Sequence, residues 1–320
     1  MLNNFSQSFR HQTQPKNHYQ GLGQFLEQAY YQVKAHRRLL LSNWLKKNKL
    51  FVHTMGKVGS STVIRSLHQS GLNRFYTIYW THYLSQEGIT LMETLANRNY
   101  HKWQEVPKGI RNQILLCRFL QKQFQTTSFR KNKLKIITLV REPIARNISS
   151  FFQNYELWLP HQNHQTIYRF NRLESLKELT CQELADCFLE NYYHDIPLKW
   201  FGTELKPIFN IDVFYSEFPQ EKGYQIYEGE FADLLLIKLE KFNQCAQKAF
   251  QEFLKVENFQ LTPANVGGNK DYSTIYKDLE SSINLPKSYI KRMYDSQYTQ
   301  HFYSESEIEK FKNKWLKLAH

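Results

Sequence analysis

Residues Leu50 to Ser66 read LFVHTMGKVGSSTVIRS: a short apolar run, then a loop of Gly, Lys, Ser and Thr, then a stretch with helical periodicity. A strand that feeds such a loop and helix is built to hold an anion. Gly56 and Gly59 let the backbone come close to a ligand, and the amides that open the helix at Ser61 point at negative charge. Ser60, Ser61 and Thr62 add hydroxyl donors, and Lys57 adds a cation. A tight turn with Lys57 in solvent is the competing interpretation.

The loop does not fit the nucleoside-triphosphate pattern GxxxxGK[ST]. Phe51 stands where its first glycine belongs, and Val58 follows the lysine where Ser or Thr is required. A P-loop nucleotide kinase is thereby disfavoured. The arrangement present is Lys-x-Gly-[ST]-[ST], carried by Lys57, Val58, Gly59, Ser60 and Ser61.

Outward from this loop, apolar runs of strand length alternate with helical segments: Leu50 to Thr54, Ser61 to Gly71, Phe75 to Trp80, Lys135 to Val140, and Ile144 to Phe152. That alternation predicts an α/β fold with a central parallel sheet flanked by helices in three layers. Asp212 to Tyr215 and Leu234 to Leu239 are further strand candidates, after a helical insertion from about Leu173 to Leu205. Ahead of the sheet, Gly21 to Lys47 reads as an amphipathic basic helix, with Leu22, Phe25, Leu26, Tyr30, Val33 and Leu40 at helical spacing among Lys34, Arg37, Arg38, Lys46 and Lys47. A solvated basic face, a membrane-surface helix and a glycan-tracking helix all suit it. The expected organisation is a loose lead-in over 1–18 and one domain over 19–320, comprising the basic helix 21–47, a core over about 50–255 and a helical tail over 256–320.

A second anion motif lies in Lys135 to Phe152, KIITLVREPIARNISSFF. A buried strand ends in Arg141, Pro143 suits the start of a helix, and Arg146 and Ser149 fall three residues apart on one helix face. Three donors then converge beside a helix N-terminus, an arrangement suited to a phosphate dianion; a surface arginine pair with a capping role is the alternative. Between the two motifs the aromatic run FYTIYWTHYL brings His82 to a strand end, as a candidate general base or as a core histidine. His53, just before the loop, reads as a buried supporting residue. Leu261 to Tyr276, LTPANVGGNKDYSTIY, holds Lys270 and Tyr272 in a polar, basic segment able to close over a nucleotide or to serve as a plain surface connection.

The chain has 320 residues, 41% hydrophobic and 15% aromatic, enough for a sizeable core. Its 42 Lys and Arg against 29 Asp and Glu leave a net charge of +13, which favours anionic partners. Cys117, Cys181, Cys187 and Cys245 form no CxxC pair and have no histidine at ligand spacing, so neither zinc nor a disulfide framework is indicated and reduced thiols are expected. The first residues, MLNNFSQSFRHQTQ, lack the apolar core of a signal peptide, and no apolar run reaches membrane-spanning length. A cytoplasmic protein, peripheral to the membrane at most, is expected. The RNA- and DNA-binding signatures are absent, so no nucleic-acid partner is expected.

The two motifs together resemble the sulfotransferase superfamily. Lys57 to Ser61 is similar to its 5'-phosphosulfate loop, with Gly56 in place of a common Pro, and Arg141-Glu142-Pro143-x-x-Arg146-x-x-Ser149 is similar to its 3'-phosphate site. The HxHF-like segment of uronyl O-sulfotransferases is matched at His82, with Trp80 in place of the first His and Tyr83 in place of the Phe. The order GKVGSS, THYLS, VREPIARNISSFF, Gly223-Tyr224, LEKF, NKDY and HFYSESEI further resembles a bacterial capsular polysaccharide synthesis family that is itself sulfotransferase-like, over roughly residues 50 to 316. The resemblance implies a P-loop-like fold and a transferase that uses 3'-phosphoadenosine 5'-phosphosulfate (PAPS) without a metal. Lys57 and His82 would be catalytic. Lys57, Val58, Gly59, Ser60, Ser61, Thr62, Arg141, Arg146 and Ser149 would bind PAPS, with Lys270 and Tyr272 closing over it. The acceptor would be a carbohydrate, an anionic polysaccharide above all. A non-catalytic glycan- or nucleotide-binding protein of the same fold is the alternative.

Overall fold

The structure is a computed structural model; it describes residues 22–100, 102–126, 129, 133–155, 158, 179–257, 259–262 and 273–316. Five strands form one mixed sheet: β1 (Asn48–His53), β2 (Tyr76–Thr81), β3 (Leu134–Val140), β4 (Tyr224–Glu228) and β5 (Ala232–Lys238), in the spatial order β2-β1-β3-β5-β4. β2, β1, β3 and β5 are mutually parallel, and β4 alone is antiparallel, paired to β5. Leu134 to Val140 is buried almost throughout, and Ala232 to Lys238 entirely, because both strands lie inside the sheet with helices over them.

The helices that position the site are α1 (Leu22–Trp44), α2 (Ser60–Gln69), α3 (Gln86–Asn99), α4 (Lys108–Phe124), α5 (Pro143–Gln153), α6 (Cys181–Asn191) and α7 (Ile196–Trp200). A single turn of π-helix, Phe201–Leu205, follows α7, and the tail ends in α8 (Lys287–Tyr294), α9 (Gln297–Phe302) and α10 (Glu305–Leu316). One buried cluster runs from Leu39 to Trp315 and takes in both faces of the sheet and the tail helices. A smaller one gathers Ala96, Trp103, Val106, Ile114 and Leu115 beneath α1.

Two expectations need correction. The sheet is mixed rather than parallel, since Gly223 turns the chain back at φ +77° and Tyr224–Glu228 returns against β5. Asp212 to Tyr215 is a turn rather than a strand: the Asp212 carboxylate accepts from the Phe214 amide at 3.0 Å and pairs with Lys206 at 2.7 Å, a local bond that competes with strand pairing. The lead-in over 1–18, Lys270 and Tyr272 lie outside the described residues, as does the start of the helical insertion. All four cysteines are unpaired, and three of them are buried.

Candidate functional site

β1 and β2 end in register, His53 opposite Thr81, and β3 leaves the same sheet edge alongside them. After β1 the chain crosses to β2 on one side and later to β3 on the other. The crevice where the strand order reverses is where open α/β sheets bind ligands. Thr54 to Gly59, His82 and Arg141 all emerge there.

In the loop, Gly56, Lys57 and Gly59 adopt left-handed backbone, with φ of +77°, +61° and +88°. A Cβ on Gly59 would come 2.8 Å from Leu239 Cδ1, so both the conformation and the space require glycine. Three successive carbonyls turn toward the second motif: Met55 O accepts from Arg146 Nη2 at 2.5 Å, Gly56 O from Arg146 Nε at 3.3 Å, and Lys57 O from an Arg141 Nη at 3.0 Å. With those carbonyls held, the amides of Val58, Gly59, Ser60 and Ser61 donate to no protein group among the described residues. Gly59 caps α2 without any side-chain acceptor, so the helix end keeps its partial positive charge. Lys57 Nζ reaches Gln153 Oε1 at 3.3 Å.

The turn after β3 is held by side chains instead. Glu142 caps α5, accepting from the Ile144 amide at 2.8 Å and the Ala145 amide at 2.6 Å, and Tyr294 donates to it at 2.7 Å. Burial nevertheless pushes its carboxyl above the ordinary range. The Glu142 amide donates to Glu240 at 2.7 Å, and the Tyr298 hydroxyl both donates to the Arg141 carbonyl at 2.8 Å and accepts from its amide at 3.1 Å. Arg141 itself remains half-buried, with one bond of its fork given to the loop.

Arg146 has a different task from Arg141. It is 2% exposed, and besides the two loop carbonyls it donates to Asn147 Oδ1 at 3.0 Å and to the Tyr192 hydroxyl at 2.7 Å. Its guanidinium therefore clamps the loop from behind, while Arg141 and half-buried Ser149 lie nearer the surface.

His82 lies against the loop at Gly56. The Cε1, Nδ1 and Nε2 atoms of its imidazole lie 3.8–3.9 Å from where a Gly56 Cβ would be. Its Nδ1 donates to the Thr54 carbonyl at 2.8 Å, which assigns the proton to that nitrogen and leaves Nε2 as the lone-pair nitrogen. Burial, with Arg146 and Lys57 nearby, holds its pKa below the ordinary 6.5, against the Thr54 bond that raises it. The imidazole is thus neutral near pH 7 and able to take a proton.

Two residues supporting His82 carry no motif. Trp200 donates its indole N–H to the His82 carbonyl at 3.0 Å. Glu204, 1% exposed in the π-helical turn, accepts from the Leu84 and Ser85 amides at 2.6 and 3.0 Å and from the Ser85 hydroxyl at 2.5 Å. Burial raises the Glu204 carboxyl to about 7 and lowers His53, 3.9 Å away, to about 3. His53 is accordingly a neutral residue bonded to Thr81 Oγ1 at 2.9 Å, and it is buried as expected. The local signal in the sequence was the Trp-Phe-Gly-Thr-Glu-Leu run ending the helical insertion, whose place under His82 is a tertiary fact.

Residues 175–304 match a family model described as "Putative capsular polysaccharide synthesis protein". The match takes in the π-helical turn, β4, β5 and the Tyr294 and Tyr298 helices that hold Arg141 and Glu142, and it begins after the loop that follows β1 and the turn that follows β3. No curated protein matches the chain, and no solved structure does.

Proposed function

We propose that the chain is a P-loop-like sulfotransferase that moves the sulfuryl group of PAPS to a hydroxyl or amine of a carbohydrate acceptor. The observation that carries it is the row of four amides, Val58 to Ser61, with no protein acceptor among the described residues at the start of a helix, beside Lys57 and with a neutral His82 next to Gly56. Donors of that density suit the phosphosulfate end of PAPS, and Arg141 with Ser149 suits its 3'-phosphate. Similarity over 175–304 to a capsular polysaccharide synthesis family supports a carbohydrate acceptor, and a net charge of +13 supports an anionic one.

When bound, PAPS supplies an activated S–O bond whose cleavage leaves negative charge on the 5'-phosphate. The loop amides and the Lys57 ammonium stabilise that charge, having been oriented in advance by Arg146 and Arg141. His82 Nε2 takes the proton from the attacking hydroxyl or amine as the acceptor–sulfur bond forms. Nδ1, tied to Thr54 O, keeps the ring in the tautomer this requires.

Calorimetric titration with 3',5'-adenosine bisphosphate, against ATP with magnesium and against adenosine 5'-phosphosulfate, tests the reading, followed by transfer from labelled PAPS to capsular polysaccharides. Tight binding of the bisphosphate that weakens in Arg141→Ala, with weak ATP binding, is expected. Preference for magnesium ATP would assign the loop to a kinase, and bisphosphate binding without transfer to any acceptor would favour a non-catalytic nucleotide-binding protein.

A further inference from the structure

Eight of the eleven large hydrophobic side chains exposed on the described surface lie on α1 and the residue after it: Phe25, Leu26, Tyr30, Val33, Leu40, Leu41, Trp44 and Leu45. Leu26, Tyr30, Val33, Arg37, Leu40 and Trp44 recur at alternating four- and three-residue steps, which places them on one stripe. The opposite face is the one that packs. Glu27 accepts from Trp103 at 2.7 Å and pairs with Arg111 at 3.0 Å, Arg38 donates to the Ile78 carbonyl at 2.6 Å, and Leu39 and Ser42 are buried. The inward face thus joins polar bonds to buried Leu39 and to Tyr31 and Ala35 packed on the core, while a second, apolar stripe faces outward. Phe75, 64% exposed, adjoins its C-terminal end, where the Asn48 amide bonds the Phe75 carbonyl.

We infer that this face docks on an anionic lipid surface, with α1 lying in the interface plane. The charge pattern selects that occupant. Lys34, Arg37, Lys46 and Arg74 are exposed beside or within the stripe, and the one acid of α1, Glu27, is turned inward to Arg111 and Trp103. A second copy of the chain docked face to face would bring the same cations together. An anionic polysaccharide could pair with the cations but could not bury Leu40 or Trp44. Phospholipid with acidic headgroups satisfies both, and Trp44 and Tyr30 are residue types that favour the headgroup level. No helix among the described residues is long and apolar enough to cross a membrane, so the helix lies on the surface rather than through it. Trp44 and Phe75 precede β1 and β2, at the end of the strands opposite Thr54 and His82, so docking there leaves the candidate site uncovered. The inference does not depend on the transferase reading.

The full chain is tested by co-sedimentation with vesicles of phosphatidylcholine alone and of equal parts phosphatidylcholine and phosphatidylglycerol, at low and high salt. Binding to the mixed vesicles, weakened by salt, is expected, with little binding to phosphatidylcholine. Lys34→Gln or Arg37→Gln should lower the partition coefficient about fivefold each at low salt. Leu40→Ala or Trp44→Ala should lower it about tenfold at either salt. These side chains face outward, so the thermal transition of each variant should match that of the parent. Absence of vesicle binding, or binding undiminished by Trp44→Ala, overturns the proposal. So does concentration-dependent dimerisation that Trp44→Ala abolishes while vesicle binding stays absent, which would assign the face to a second copy.

Discussion

The loop after β1 and the turn after β3 leave the same sheet edge and carry the same kind of basic, hydroxyl-rich sequence, yet they are built in opposite ways. The loop is a backbone device: three left-handed residues and a row of amides without an acceptor among the described residues, with Val58 buried beneath. The turn is a side-chain device, in which Glu142, Glu240, Tyr294 and Tyr298 hold a short stretch of chain. The two are not independent, because Arg146 and Arg141 of the second grip the carbonyls of the first. On the proposed reading, an anion site made from amides needs its carbonyls turned away, and the neighbouring element holds them.

The largest effect should come from cutting that link. Arg146→Met strands the Met55 and Gly56 carbonyls and the Tyr192 hydroxyl without their donor, and should cost about 3 kcal/mol or more by denaturant unfolding, together with loss of bisphosphate binding. Arg146→Lys should restore little, since one ammonium cannot replace the fork. A near-native stability for Arg146→Met would break the picture of interlocked devices. Lys57→Ala should leave stability almost unchanged and slow transfer about 10²- to 10³-fold, read as a fall in kcat at saturating PAPS; a change in KM alone would limit Lys57 to binding.

The pH profile sharpens the division between charge and proton transfer. A base must be unprotonated, and His82 is depressed below 6.5, so kcat/KM should rise with pH, level off below 6.5, and lose about tenfold per unit on the acid side. The acid limb should vanish in His82→Gln along with most of the rate; persistence of the same limb there would transfer the titration to another group. The smallest effect belongs to the turn's scaffold. Tyr298→Phe removes both bonds to the Arg141 backbone and should cost about 1 kcal/mol of stability, with a modest rise in the PAPS requirement and no change in the pH limb.

Much of the sheet was legible along the chain because its strands are buried on both faces and read as continuous apolar runs. The predicted Lys135 to Val140 falls within Leu134–Val140, and the predicted Phe75 to Trp80 is displaced by one residue from Tyr76–Thr81. Asp212 to Tyr215 misled because a few apolar and aromatic residues in a row have no periodicity to separate a strand from a turn, and the Asp212 side chain decides the outcome locally. In the candidate site, the positions of Lys57, Gly59, Ser60 and Arg141 follow from spacing alone, since each stands at a strand end or helix start.

Composition and pattern by themselves determined an α/β chain with two basic, hydroxyl-bearing turns at strand ends, a basic helix ahead of the sheet, and a histidine between the turns. Only the tertiary structure decided that Arg146 is buried and bonded to the loop carbonyls, that Glu204 and Trp200 hold the chain around His82, and that the helix turns its apolar stripe outward. The reason is physical: strand and helix signals are carried by neighbours a few residues apart, whereas the direction a guanidinium or an apolar stripe faces is set by groups distant in sequence that the chain must first bring together.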